Sequence, residues 1–171
     1  MKVKIISGGQ TGVDQGALLA AKSSKFETGG AAPRNFMTKL GPARWLSNFG
    51  LYDSGLDYAG RTRLNVESSH FTIVFGGQGK VMSPGTKLTM NILAQKNVPH
   101  VWLPIDYDSC DEDLQTLFDE LERAKLLYDE FVLNIAGPSE ENLFGAGALT
   151  FKRVQYILAK IQAKLEHCDN T

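Results

Sequence analysis

The sequence predicts an α/β fold: a single doubly wound domain with a mainly parallel sheet flanked by helices. Three observations carry that prediction. Short apolar runs alternate with amphipathic stretches along the chain, the pattern of βα units joined by crossovers. One run, Phe71-Thr72-Ile73-Val74-Phe75, is continuously β-branched and aromatic, as befits a strand buried on both faces. Four strand candidates then run into small residues, and open parallel sheets bind ligands beyond the carboxyl ends of their strands.

Taken in order, Lys2 to Ser7 reads as the first strand and Asp14 to Lys22 as a helix carrying Leu18, Leu19 and Ala21. Phe26 to Thr28 reads as a short second strand, ended by Gly29-Gly30. Ala31 to Gly60 has no clean period and is expected to be loops with a short helix. Arg61 to Ser69 is a short helix, Phe71 to Phe75 a strand, and Gly85 to Lys96 a helix with Leu88, Ile92 and Leu93 suitably spaced. His100 to Leu103 is a strand that Pro104 closes. Asp113 caps a helix in which Leu114, Leu117, Phe118 and Leu121 follow the i, i+3, i+4, i+7 rule. Phe131 to Ile135 is a last strand. Leu149 to Leu165 is a closing helix with Val154, Ile157, Leu158 and Ile161 on one stripe.

Length and composition exclude several classes. With 171 residues the chain matches one domain, read as 1–165 followed by a polar tail, 166–171. A hydrophobic fraction of 43% with 22% charged residues is that of a globular protein rather than a disordered, collagenous or coiled-coil one. Eighteen Lys+Arg against nineteen Asp+Glu give a net charge of −1, whereas proteins that grip nucleic acid along its backbone carry a clear positive excess. No apolar run approaches the ~20 residues that span a bilayer. The segment Met1 to Ile6 lacks a signal peptide's apolar region. Two cysteines, Cys110 and Cys168, form no disulfide framework. These features together predict a reduced, cytoplasmic protein with neither membrane nor nucleic acid as partner.

The strand ends locate the chemistry. Ser7-Gly8-Gly9-Gln10-Thr11-Gly12 follows the first strand, and Gly29-Gly30-Ala31-Ala32-Pro33-Arg34 the second. Gly76-Gly77, with Ser83-Pro84-Gly85-Thr86 at a helix start, follows the Phe71 strand; Ala136-Gly137-Pro138-Ser139 follows the last. Glycine lets a ligand approach the backbone closely, and free N–H groups at a helix start attract an anion, typically a phosphate. Glycines also end strands for purely structural reasons, but four convergent loops favour an anionic, phosphate-bearing ligand. No Walker loop is present at Gly79-Lys80 or Gly85-Thr86, and a dinucleotide GxGxxG fails because Ser7 stands at its first glycine. Glu27 is the single weak candidate for a ribose-binding acid.

Several side chains admit two readings each. Asp14, three residues after Thr11, either completes a capping box or contacts sugar hydroxyls or a metal-bound water. Arg61 and Asn65 share a helix face at i, i+4 and suit either solvent or a phosphate-bearing ligand. Arg34 is a second anion contact or a surface residue, as are Lys80 and Lys87. His70, His100 and His167 are scattered, without metal-ligand spacing, so no metal site is expected. Ser139 lacks a nucleophile motif. Cys110 lies among Asp106, Asp108 and Asp111, which disfavour a thiolate.

Ser7-Gly8-Gly9-Gln10-Thr11-Gly12-Val13-Asp14, Gly29-Gly30-x-Ala32-Pro33, Phe49-Gly50-Leu51, Arg61-Thr62-x-x-Asn65-Val66, Gly85-Thr86-x-x-Thr89 and Leu133-Asn134-x-Ala136-Gly137-Pro138 resemble, in that order, the putative molybdenum carrier family. That family is related to YpsA and belongs to the DprA/LOG superfamily of Rossmann-like domains. The resemblance spans about residues 3 to 160. It implies a Rossmann-like fold, commonly homo-oligomeric, that binds a nucleotide-like ligand or carries molybdenum cofactor, a pterin bearing a phosphate. The strand-end loops and the resemblance together make Gly8, Gly9, Gln10, Thr11, Gly12, Asp14, Gly30, Arg34, Arg61, Asn65, Gly76, Gly77, Gly85, Thr86, Asn134 and Gly137 the expected ligand contacts.

The chain also departs from the superfamily. Its phosphoribohydrolases share a GGxGTxxE motif; here Thr89 stands at the glutamate position and Pro84 at a glycine. Thr38-Lys39 replaces an acidic segment and Gln15 an arginine. A threonine hydroxyl cannot replace a carboxylate that activates water, so a carrier is the leading reading. The alternatives are a nucleoside-monophosphate phosphoribohydrolase relying on Asp14 or Glu67, and a structural oligomeric scaffold without ligand.

Overall fold

The apolar runs of the sequence pair into one six-stranded, all-parallel sheet. The computed structural model describes residues 1–77, 82–106 and 111–166. Lys80, Asp108, Cys110, His167 and Cys168 lie outside the described residues, as does the tail from 167 onward. The strands are β1 (Lys2–Ile6), β2 (Glu27–Ala32), β5 (Leu51–Asp53), β6 (Phe71–Gly76), β7 (His100–Pro104) and β8 (Glu130–Ala136). A separate two-residue hairpin joins β3 (Met37–Thr38) and β4 (Gly41–Pro42). The sheet runs β5-β2-β1-β8-β6-β7.

Helices cover both faces. α1 (Val13–Ser23), α4 (Gln115–Lys125) and α5 (Ala146–Glu166) close one face over a core of Ile5, Phe71, Ile73, Phe75, Phe131 and Leu133. α2 (Tyr58–Glu67) and α3 (Pro84–Lys96) close the other through Val66, Val74, Ile92 and Leu93. Every residue of β6 is buried, so the continuous apolar run is what a strand covered on both faces requires. A smaller cluster, Leu18, Ala32, Leu46 and Leu51, seals the β5 edge.

The strand order identifies the ligand crevice. From β1 the chain winds outward to β2 and β5, crosses to β6 and β7, and returns to lay β8 between β1 and β6. Counted from β6 as first strand, with β1 following β8, the sheet reads 2-1-3-4-5-6, an order of doubly wound folds. The reversal of winding falls between β6 and β8, at Gly76 and Ala136.

Three expectations need correction. β2 does not end at Gly29-Gly30 but runs through both, pairing Ile6 with Gly29 and Gly30 with Leu51. Gly30 has φ +126° and a Cβ there would lie 2.3 Å from the Ser7 carbonyl oxygen; the glycine lets strands meet closely rather than ending one. The segment from Ala31 to Gly60, expected to be loops, holds β5, the hairpin, two 3₁₀ turns and the start of α2. Asp113 is not the cap of α4: Leu114 holds that position. Among helix starts, α2 is capped by Asp57, whose carboxylate accepts the Gly60 N–H at 2.8 Å, and α5 begins at Ala146, ahead of Leu149.

Candidate functional site

A polar cavity of about 300 Å³ opens beyond the carboxyl ends of β1 and β8, against the start of α3. Gln10 and Asp14 line one side; Arg61, Thr62 and Tyr58 of α2 line the next. Ser83, Gly85, Leu88 and Thr89 come from α3 and its cap, and Gly137, Ser139 and Asn142 from the loop after β8. Lys39, from the hairpin, completes the wall. The crevice between β6 and β8 thus opens into this cavity, where α/β sheets hold ligands.

Arg61 and Asp14 are its charged centre. Arg61 Nη1 lies 3.4 Å from Asp14 Oδ2, with both side chains largely buried. Burial pushes the Asp14 carboxyl above its ordinary value of 3.8; the Arg61 guanidinium is the strongest opposing influence, followed by the Gln10 backbone N–H. That N–H donates to Asp14 Oδ2 at 3.1 Å. Arg61 Nε is buried with no partner among the described residues. Gly8 makes room for it: a Cβ at that position would sit 1.6 Å from Arg61 Nη1.

The β1–α1 loop is closed on itself. Gln10 N–H engages Asp14, Thr11 N–H engages the Gln10 side-chain oxygen at 3.0 Å, and Val13 N–H engages the Pro138 carbonyl at 3.2 Å. Gln10 Oε1 also accepts the Lys39 N–H at 2.8 Å, tying the hairpin to the loop. An open phosphate cradle over Gly8 to Gly12 is therefore not what this loop presents; the Asp14 carboxylate occupies part of it. Nor does Thr11 cap α1. Gly12 is the cap, without a side-chain bond, and has φ +89° with the Glu140 N and Pro138 O too near for any Cβ.

The other expected contacts divide. Gly85 lies on the cavity wall with nothing near its Cβ position among the described residues. Thr86 is buried, its hydroxyl 2.9 Å from that of Ser83 and its N–H capped by the same serine. Gly137 lines the cavity and packs against Val13. Gly9 abuts Leu46 and Leu51. Gly76 accommodates the Trp102 indole, while Gly77 faces open space.

Asn65 is drawn elsewhere. Its side-chain oxygen accepts the Ala31 N–H at 2.7 Å and its amide donates to the Ala31 carbonyl at 3.0 Å, clamping α2 to β2. Asn134 donates to Thr72 across the sheet at 3.3 Å. Arg34 donates to the Gly55 carbonyl and borders a different, outer cavity with Leu56 and Tyr58. Glu67 pairs with Lys96 at 2.7 Å, away from the cavity. Tyr58, Thr62 and Asn142 were not expected; the first two flank Arg61 on α2, and their i, i+3 and i+1 placement was the available signal.

Chemically, the cavity offers a guanidinium held by a carboxylate, a lysine at its rim, several hydroxyls and a helix start. Thr89 Oγ1 donates back to the Gly85 carbonyl at 3.2 Å, so α3 sends no carboxylate into it. Asp14 is the single acid among the described lining residues. Among the described residues no cluster suits a metal ion, and no helix is long and apolar enough to cross a membrane.

A family model described as "Circularly permutated YpsA SLOG family" matches residues 5–158 of the chain. A crystal structure named "Putative molybdenum carrier protein", from Syntrophus aciditrophicus SB, is 29% identical and superposes with a TM-score of 0.74. The match covers 90% of this chain and 93% of that one. No curated protein matches significantly.

Proposed function

This chain belongs to the circularly permutated YpsA SLOG family, and on that premise we propose that it is a carrier that binds a phosphate-bearing, nucleotide-like ligand in the cavity at the β6–β8 reversal. The single observation that carries the reading is the largely buried guanidinium of Arg61, which lines that cavity beside the Asp14 carboxylate. A bound anion gives the guanidinium charge-assisted hydrogen bonds, the strong kind. The polar end of the ligand lies between Arg61 and Gly85 at the start of α3, where helix N–H groups favour negative charge. Gln10, Thr62, Ser139 and Asn142 supply hydrogen bonds to its hydroxyls or base.

A molybdenum-bearing pterin phosphate and a nucleotide share the phosphate, and the name of the Syntrophus structure makes the former the first cargo to test. Carriage, rather than hydrolysis, fits an α3 whose Thr89 hydroxyl is turned back on its own helix. Assembly as a homo-oligomer and a cytoplasmic location belong to the same proposal.

Native mass spectrometry of gently purified protein tests it. A stoichiometric added mass matching a nucleotide or a molybdopterin is the expected result, and the subunit count is read from the same spectrum. A bare protein whose melting temperature no phosphate ligand raises would overturn it, because a ligand that binds only the folded state must stabilise that state.

A further inference from the structure

The ion pair in the cavity has more to it than a counter-charge. Asp14 is all but inaccessible, at 5% side-chain exposure against 12% for Arg61. Its other facing groups are few. Gln10 and Gly8 present backbone N–H groups to it and Ser7 its hydroxyl, and the α3 wall of Ser83, Gly85 and Thr89 is uncharged. The remaining cation on the wall, Lys39, pairs at 3.6 Å with Glu141 in a half-exposed bridge. Beyond β8, Ser139 and Asn142 bond to each other at 2.8 Å. Arg61 is thus the one strong source of positive potential at Asp14 among the described residues.

We propose that Arg61 selects the ligand's charge and that an anion drawn to it is taken up together with one proton, which binds to Asp14. This deepens the carrier reading and rests on it. A guanidinium has five donors and can meet two anions, but a second anion within its reach puts two negative charges in a site nearly closed to water. Like charges so placed disfavour joint ionisation, and the group already opposed by burial is Asp14. The proton comes from solvent and ends on a carboxylate oxygen of Asp14; Arg61 keeps its charge. The shared chemistry of the ligand is a tetrahedral oxyanion, either the terminal phosphate of a nucleotide or a free oxyanion.

The test is calorimetric titration of the whole chain with adenosine 5′-monophosphate and, separately, with inorganic molybdate. Each is run in two buffers of different ionisation enthalpy around neutral pH. The expected result is uptake of close to one proton per anion and an affinity that weakens by up to about tenfold per pH unit. Molybdate does not titrate in that range, so a proton taken up with it belongs to the protein. Whichever probe binds more tightly tells a nucleotide from a free oxyanion. Asp14→Asn should bind molybdate with an affinity independent of pH and without proton uptake. Should that variant fail to fold, infrared difference spectra of the wild type must show the carbonyl band of a protonated carboxylic acid appearing on binding. Binding without proton uptake overturns this inference and leaves the carrier reading standing. Absence of binding by either probe, together with a bare protein in the mass spectrum, overturns both.

Discussion

At the scale of single residues, the molecule separates glycines and polar groups that look alike in sequence. Gly8 is an empty place filled by a neighbour: the 1.6 Å between its missing Cβ and Arg61 Nη1 means Gly8→Ala must displace the guanidinium. We expect a loss of roughly 1–3 kcal/mol from overpacking in denaturant unfolding, with anion affinity lost in the folded fraction. Asn65→Ala should do the reverse. It orphans the Ala31 N–H and carbonyl at roughly 1–3 kcal/mol for each group left unpaired, while folded protein binds anion as the wild type does. Arg61 and Asn65 were legible as one helix face from their spacing. What the spacing could not say is that Asn65, one turn further along, faces the β2 backbone. Asp14 adds a pH signature. Its folded pKa is raised above 3.8, so the native state holds that proton more tightly than the unfolded chain. Its contribution is most favourable below 3.8 and declines as pH climbs toward the raised value. Asp14→Asn should remove that decline from the pH profile of the urea midpoint.

At the scale of elements, legibility followed side-chain bulk. β6 and α5 announce themselves through long apolar patterns, and both were found within a few residues. β5 has one buried residue in three, too short a record for any period to show. β2 was cut short because Gly29-Gly30 reads as a stop, although its glycines serve strand contact. The same principle governs helices. α1 and α5 touch at Gly16 and Gly147, where a Cβ on Gly16 would lie 2.3 Å from the Gly147 carbonyl oxygen. Gly16→Ala therefore presses on backbone, and we expect about 1–3 kcal/mol of destabilisation, read as a fall of about 2–4 °C in Tm per kcal/mol for a chain of this size. Between the turn leading to α4 and α5, Asp111 meets Lys160 at 2.9 Å and Tyr156 at 3.2 Å. The Lys160 hydrogen bond is the main cause holding the Asp111 carboxyl below its ordinary 3.8. Stability from this pair is present above 3.8 and is lost as pH falls through the lowered value. Lys160→Met should flatten the acid limb of the thermal-stability profile while changing its neutral plateau little, as befits a solvent-screened surface pair.

At the scale of the whole molecule, the parallel sheet and its flanking helices were readable from the alternation of patterns. The order of the strands was not. Nothing in local periodicity says that β8 will insert between β1 and β6; that choice is made by which apolar edges remain open once the rest has paired. Counted from β6, the sheet reads 2-1-3-4-5-6. That order explains why the cavity draws on residues as distant as Gln10, Gly85 and Asn142: the site sits where the two halves of the winding meet, and neither half contains it.

The late position of that central strand has a consequence for synthesis. A ribosome makes β1 and β6 well before β8, so the growing chain carries two partner-seeking strand edges while the stretch between Gly76 and Glu130 is synthesised. Those edges meet only when Glu130–Ala136 emerges and bridges them in register, Val3 with Phe131 on one side and Ile73 with Ile135 on the other. Unpaired parallel edges are slow to find partners and prone to find wrong ones. A chain ending before Glu130 should therefore leave no protease-resistant sheet, and nascent chains halted there should be clients of whatever chaperone waits at the exit tunnel. The last seven-residue strand works as a keystone, set after the arch on either side has been raised.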